Sequence, residues 1–208
     1  MSTLFLCNFS SAQSKTWSAG KDTVIILRDS LGAAGHSKVY KDSLAVMGYT
    51  AVTEPCAYMT TAEREVIQYL NMARMYPKWF LYFFLPKPRT ENEKSLYKTM
   101  SEMKTIPDPL KPNKKCWESA KCHAITSGLK SYTGHERQSK DCKKYYHGEC
   151  CNYGVSDPAQ MVLDLLIDEG VPSLGHRWIC LHDGYKSVGV SIQPHKGYGT
   201  NVVLDFDY

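Results

Sequence analysis

The sequence lacks any long apolar run. Its richest hydrophobic stretch, Trp79 to Leu85, is short, contains several aromatic residues and ends at Pro86. A helix that crosses a bilayer needs about 18 consecutive apolar residues. We therefore expect a chain that does not span a membrane.

The sequence also lacks a strong excess of either charge. It has 25 Lys and Arg against 21 Asp and Glu, a formal net charge of +4, and its basic residues form only short clusters such as Lys114-Lys115 and Lys143-Lys144. Proteins that bind nucleic acids concentrate basic side chains on one face. We therefore expect no nucleic-acid partner.

Two common hydrolase signatures are missing. There is no His-Glu-x-x-His pair, since Gly134-His-Glu-Arg137 does not match it, and there is no Gly-x-Ser-x-Gly turn. Ser173 precedes His176 closely enough to be considered as a nucleophile, but a polar loop residue is the favoured interpretation. The sequence thus offers no motif that assigns a hydrolytic mechanism by itself.

What the chain does contain indicates one compact, extracytoplasmic domain. Its 208 residues are 43% hydrophobic and 12% aromatic, enough to form a single core. Eight cysteines favour an oxidising compartment with disulfides, although the pairing cannot be derived from the sequence. One or two of these cysteines can instead be buried and unpaired.

The N-terminus resembles the last part of a secretory signal. Leu4-Phe5-Leu6-Cys7 is followed by the small residues Ser10-Ser11-Ala12, but no Lys or Arg precedes Lys15. Either the start codon has been assigned too far downstream or the resemblance to a signal peptide is accidental. We favour the first explanation. We predict a truncated signal peptide at 1–13, an N-terminal extension at 14–60 and the main domain at 61–208, in a secreted or periplasmic protein.

Local patterns predict three helices in the main domain. The first is capped by Thr60 or Thr61 and ends or restarts at Pro77; the second spans Cys116 to Leu129. The third begins at the N-cap Asp157, with Gln160 completing a capping box and Gly170 just beyond its end. We also predict a long connection at 85–112 with one exposed helical turn, and strands at 24–27, 187–192 and 200–206.

Two acidic residues follow the third helix, where the helix dipole disfavours carboxylates. Two explanations stay open for Asp168 and Glu169. Both can lie in a solvated turn, where water screens their charges, or one of them can be directed into a site shared with His176. His123, beside the small residues of the second helix, is interpreted as a surface or satisfied core residue rather than a ligand.

Four segments, taken in order, carry a resemblance to a known family. They are Tyr69-Leu-Asn-Met-Ala-Arg-Met-Tyr-Pro77; Gly134-His135; Gly148-Glu-Cys-Cys-Asn-Tyr-Gly154; and Ile167-Asp-Glu-Gly-Val-Pro-Ser-Leu-Gly-His-Arg177, continuing through Tyr185, Val188-Gly-Val190 and Val203-Leu-Asp-Phe206. Together they resemble the CAP superfamily (SCP-like domains of cysteine-rich secretory, antigen 5 and pathogenesis-related proteins). The resemblance implies an α+β fold, a three-layer α-β-α sandwich with a small, mainly antiparallel sheet.

The resemblance also implies a cleft in which His135, Glu149 and His176 converge, with an acid near Asp168 or Glu169. Two imidazoles and carboxylates can coordinate a divalent cation such as Zn²⁺ or exchange protons. We take the predicted ligands to be His135, His176, Glu149 and Glu169, with no organic cofactor.

The chain departs from the family pattern at two places. Cys150 stands where the family motif usually has Asn, and Trp178-Ile-Cys180 replaces a more polar stretch. The family layout suggests disulfides from Cys150 or Cys151 to Cys142 or Cys180. Cysteine catalysis by Cys150 or Cys151 with His135 is the less favoured use of these residues.

Relatives in this superfamily are associated with lipid or sterol binding, metal binding and proteolysis, without one shared reaction. We therefore expect a secreted binding or scaffold domain for a small molecule, lipid or protein ligand, with a cleft able to bind a divalent cation. The alternative is a metal-assisted, peptidase-like hydrolase whose catalytic residues are His135, Glu149 and His176. A purely structural module with an unused cleft is the third possibility.

Overall fold

The computed structural model describes residues 56–208 in full and the backbone of 14–19 and 22–27. The chain divides into two units, Met1–Ala51 and Val52–Tyr208. In the first unit, β1 (Ser14–Ala19) pairs antiparallel with β2 (Asp22–Leu27), so the strand predicted at 24–27 lies within β2. The predicted signal peptide at 1–13 lies outside the described residues.

The first two helices of the main unit follow their local capping signals. α1 (Thr61–Met75) begins after Thr60, whose hydroxyl accepts a hydrogen bond from Glu63 N at 3.2 Å, while the Glu63 carboxylate accepts one from Thr60 N at 2.8 Å. This reciprocal pair is a capping box. Pro77 then starts α2 (Pro77–Phe84), because a proline ring fits the first helical position.

The connection at 85–112 contains more helix than expected. The prediction of one exposed turn is wrong, because α3 (Glu91–Glu102) has 12 residues and buries Leu96 and Met100. A second capping box, between Thr90 and Glu93, starts this helix. That Thr-x-x-Glu spacing is present in the sequence, between the prolines that suggested a loop.

α4 (Lys114–Lys130) packs against the sheet with unusually close backbones. Its N-cap is Asn113, and its small residues include Gly128, where an added Cβ would lie 2.1 Å from the Pro194 carbonyl oxygen. At Gly189 on the facing strand, an added Cβ would lie 1.9 Å from Trp117 N. Glycine at both positions therefore permits a helix-to-strand approach that brings His123 to the sheet.

The sheet is small and mixed. It contains β3 (Lys111–Pro112), β4 (Gly148–Tyr153), β5 (Ser187–His195) and β6 (Gly199–Asp207) in the order β3-β5-β6-β4. Only the β3–β5 pair is parallel. Helices with this four-stranded sheet confirm the α+β class, whereas the family-specific sandwich stays a prediction.

Alternate residues of β4 face opposite sides of the sheet. Cys151 packs with Ala120 and Ala124 of α4, whereas the Cys150 sulfur lies 3.9 Å from that of Cys180 on a different helix, α6 (Gly175–Cys180). One face of β4 therefore meets α4 and the other meets α6. The cleft residue Glu149 lies on the face of Cys151, since the two are two residues apart.

α5 (Pro158–Ile167) begins as the sequence predicts but ends differently. The Asp157 side chain accepts from Gln160 N at 2.8 Å, yet the Gln160 amide donates to Asp164 at 2.6 Å rather than completing a capping box, so that part of the prediction is wrong. Asp168, with φ of 57°, ends the helix two residues before Gly170. Among the described residues, no helix combines the length and apolar composition that crossing a bilayer requires.

Candidate functional site

The inner part of the site is a hydrogen-bonded pair of a buried glutamate and a histidine at the surface. Glu149 on β4 is 5% exposed, and its Oε1 lies 3.0 Å from Nδ1 of His135, in the segment between α4 and β4. The His135 side chain is 52% exposed. The pair thus has one member in the protein interior and one in contact with solvent.

The outer part of the site is a histidine oriented by an aspartate. His176 lies on α6, and its Nδ1 is 2.7 Å from Oδ1 of Asp168, while its backbone N–H donates to Oδ2 at 2.9 Å. Because Asp168 takes a left-handed conformation after α5, its carboxylate turns back to the start of α6. A carboxylate on Nδ1 fixes the ring orientation and leaves Nε2 for a ligand or a proton.

The structure brings the two histidines together. The ring centroids of His135 and His176 are 6.0 Å apart, with 46° between the ring planes. Glu149 and Asp168 each contact one of these rings, so four of the residues singled out in the sequence lie together. Their ligand roles stay predictions.

Glu169 is placed differently from Asp168. Its Oε2 accepts a hydrogen bond from Thr90 Oγ1, the N-cap hydroxyl of α3, at 2.9 Å. Of the two acids that the sequence left open as partners of His176, the one in hydrogen-bond contact is therefore Asp168. Both acids and His176 line an open cavity of about 990 Å³, together with Cys151, Tyr153 and Tyr198.

Arg137 is a site residue that the sequence did not indicate. Its Nη1 donates to Glu149 Oε2 at 2.5 Å, and its Nη2 donates to Ser119 Oγ at 3.1 Å and contacts Asp205 Oδ2 at 3.4 Å. Arg137 thereby occupies one carboxylate oxygen of Glu149 and leaves Oε1 in contact with His135. Only the tertiary fold joins these residues, since Glu149 and Asp205 face each other across β4 and β6.

The two facing carboxylates ionise differently. Burial acts to raise the pKa of Glu149, but hydrogen bonds from His135 and Asp205 and the charge of Arg137 outweigh it, so that pKa is lowered. Burial, followed by the charge of Glu149, raises the pKa of Asp205 to about 9. Near neutral pH, Glu149 is therefore the ionised member and Asp205 carries the proton.

A second group of potential ligands lies on the inner side of Glu149. His123, Glu149 and Cys151 are all buried, and their ligand atoms lie within 4.8 Å of one another, so this group could hold a metal ion. Of the four ligands predicted from the sequence, it contains only Glu149. Burial lowers the pKa of His123, which favours the neutral ring that binds metals.

Comparisons of this chain with protein-family models, curated proteins and solved structures found no match.

Two cysteine pairs lie near the cleft. Cys122 and Cys142 form a disulfide, so the hypothesis that Cys150 or Cys151 pairs with Cys142 is wrong. Cys142 thus pairs with a cysteine of α4 and not with one of β4, the strand that carries Glu149. Cys150 and Cys180 are unbonded thiols whose sulfur atoms are 3.9 Å apart.

Arg177 holds α6 in place. Its Nε donates to the Leu166 carbonyl at 2.6 Å and its Nη2 to the Ile167 carbonyl at 2.8 Å, which are free carbonyls at the end of α5. Its Nη1 also donates to Ser95 Oγ of α3 at 2.9 Å. Arg177 therefore supports the position of His176, its neighbour.

Proposed function

We propose that this chain is a secreted, CAP-type domain that binds a ligand or acts as a scaffold, with a cleft that binds a divalent cation. The observation that supports this most directly is the 6.0 Å approach of the His135 and His176 rings. These residues, with Glu149, come from three separate segments that carry the family resemblance. A glutamate oxygen and a nearby imidazole are both ligands that Zn²⁺ uses in proteins.

The cavity beside the cleft favours a binding role. Its volume of about 990 Å³ is in the range of sites for small ligands, and its lining combines tyrosine rings with acidic groups. Such a mixture can take a molecule with both apolar and polar parts, such as a lipid or another small molecule. The adjacent cation would then fix a polar end of that ligand.

The test is metal analysis of protein purified without chelators, followed by calorimetric titration with Zn²⁺. We expect the wild type to bind Zn²⁺ and the double variant His135→Ala/His176→Ala to bind it at least tenfold more weakly with an unchanged circular dichroism spectrum. His147→Ala is the matched control, because His147 is exposed and contacts Asp207 rather than the cleft. A wild type that holds no metal and gives no heat would contradict cation binding and favour a purely structural module.

The alternative function, a metal-assisted hydrolase, is favoured by the Asp168–His176 pair. An imidazole oriented by a carboxylate can serve as a general base for a metal-bound water. On this alternative, Asp168→Asn lowers peptide hydrolysis by about 100-fold while Zn²⁺ binding is retained. If the wild type hydrolyses no member of a peptide library in the presence of Zn²⁺, the alternative is rejected.

A further inference from the structure

The β4 register places a thiol beside the cleft glutamate. Glu149 and Cys151 are on the same face of β4, and His123 of α4 faces both of them. Cys151 is 6% exposed and His123 is fully buried. A carboxylate, an imidazole and a thiol therefore meet in the protein interior.

The distances within this group are close to those of a tetrahedral metal site. Zn–N and Zn–S bonds of about 2.0 and 2.3 Å place neighbouring ligand atoms about 3.3 to 3.8 Å apart. Glu149 Oε1 lies 4.0 Å from His123 Nε2 and 3.0 Å from His135 Nδ1, and His135 Nδ1 lies 3.9 Å from Cys151 Sγ. The ligand atoms of His123, Glu149 and Cys151 lie within 4.8 Å of one another, so shifts of about 1 Å would bring them to tetrahedral spacing.

His123 has hydrogen-bonding capacity that the protein leaves unused. Its Nε2 donates to the Gly134 carbonyl at 2.9 Å, but its buried Nδ1 has no partner among the described residues. A cation on Nε2 would replace the proton there and displace the Gly134 carbonyl from it, and the proton would move to Nδ1 in the other neutral tautomer, where the described residues offer it no acceptor. The ring can therefore become a ligand without a change in its charge.

The donor atoms favour a divalent cation at this position. Binding releases the Cys151 thiol proton to solvent, so the thiolate and the Glu149 carboxylate give a 2+ ion two anionic ligands, and with the guanidinium of Arg137 the group carries a net charge of +1. Arg137 occupies Oε2 of Glu149 and leaves Oε1 as a single donor atom. A sulfur ligand selects Zn²⁺ or Co²⁺ over Mg²⁺ and Ca²⁺, which prefer oxygen.

We propose that the cation of the cleft binds on this inner side, with His123, Glu149 and Cys151 as ligands and His135 completing the tetrahedron. The inference rests on the proposed cation binding and assigns different ligands from those predicted by the resemblance. His176 and Asp168 then lie outside the ligand set. They remain available to contact a ligand across the cleft.

The test is titration of the apoprotein with Co²⁺, followed by absorption spectroscopy. We expect the wild type and His176→Ala to show a near-ultraviolet thiolate-to-cobalt charge-transfer band with the intense visible bands of tetrahedral Co²⁺. Cys151→Ala loses the charge-transfer band and binds Co²⁺ at least tenfold more weakly. Cys150→Ala is the matched control, because Cys150 is the adjacent buried thiol on the opposite face of β4, and it keeps the band.

The outcomes separate this inference from the proposed function. If the wild type binds Co²⁺ without a thiolate band and His176→Ala loses that binding, the inner site is wrong. Cation binding in the cleft then still stands. No binding of Co²⁺ or Zn²⁺ by the wild type overturns both. If Cys151→Ala fails to fold, X-ray absorption of the wild-type zinc or cobalt complex decides, since a shell without sulfur contradicts the inner site.

Discussion

Replacing Gly189 with alanine tests how closely α4 is held against β5. The added Cβ would lie 1.9 Å from Trp117 N, 2.3 Å from Cys116 C and 2.5 Å from Trp117 Cα. All three are backbone atoms, so rotation of a side chain cannot relieve the contact. Since ordinary contact begins at 3.4 Å, the helix and strand must separate by about 1.5 Å.

We expect Gly189→Ala to lower the free energy of unfolding by about 3 kcal/mol, the upper end of the usual cost of overpacking, because rigid elements must move. Urea unfolding followed by circular dichroism measures this change. Gly175→Ala is the control, because the Cβ at that position would meet only the Ser173 hydroxyl at 3.4 Å, and its stability should change by less than about 0.5 kcal/mol. Equal unfolding midpoints for the two variants would refute the close backbone packing.

Three further predictions concern buried polar groups and thiols. Burial raises the pKa of Asp205 from 3.8 to about 9 in the folded state, so its contribution to stability is fully present below about pH 4, decreases as pH rises and is lost above about pH 9. The melting temperature of Asp205→Asn should therefore vary less than that of the wild type between about pH 4 and 9, and parallel curves would contradict this. Oxidised glutathione should link Cys150 to Cys180, whose sulfur atoms are 3.9 Å apart, but slowly, because both thiols are fully buried and react only when the structure opens locally. A non-reducing digest of protein treated until the reaction stops, in which both cysteines remain alkylatable, would disprove this. Arg74→Met should cost about 3 kcal/mol in urea unfolding, since the buried guanidinium donates to three carbonyls within residues 180–185, and a loss below about 1 kcal/mol would contradict that role.

Helix starts were predictable because their signals are local. Thr60 and Asp157 act as N-caps within a few residues of the groups they bind, so sequence spacing is sufficient to find them. α3 was missed although Thr90 and Glu93 have the same spacing, because the surrounding prolines favoured a loop. β4 was not recognised as a strand, because its adjacent buried cysteines, Cys150 and Cys151, give no alternation of polar and apolar residues.

The cleft was only partly predictable. His135, Glu149 and His176 were named from motifs, whereas Asp205 is a site residue only because the β4–β6 register places it opposite Glu149. No local pattern contains that register. His123 had a usable signal, since it lies beside Ala120 and Ala124 on the buried side of α4, but its proximity to Glu149 depends on how the helix packs.

The two faces of β4 divide the site into parts that can change separately. Glu149 and Cys151 face α4, whereas Cys150 faces Cys180 of α6, the helix that carries His176. The separation between the histidine rings therefore depends on β4–α6 packing at the Cys150–Cys180 contact. A disulfide there would require the sulfur atoms to approach by nearly 2 Å. Rotation of the two side chains can supply part of that approach, and any remainder must come from movement of α6 toward β4, which would carry His176 with it.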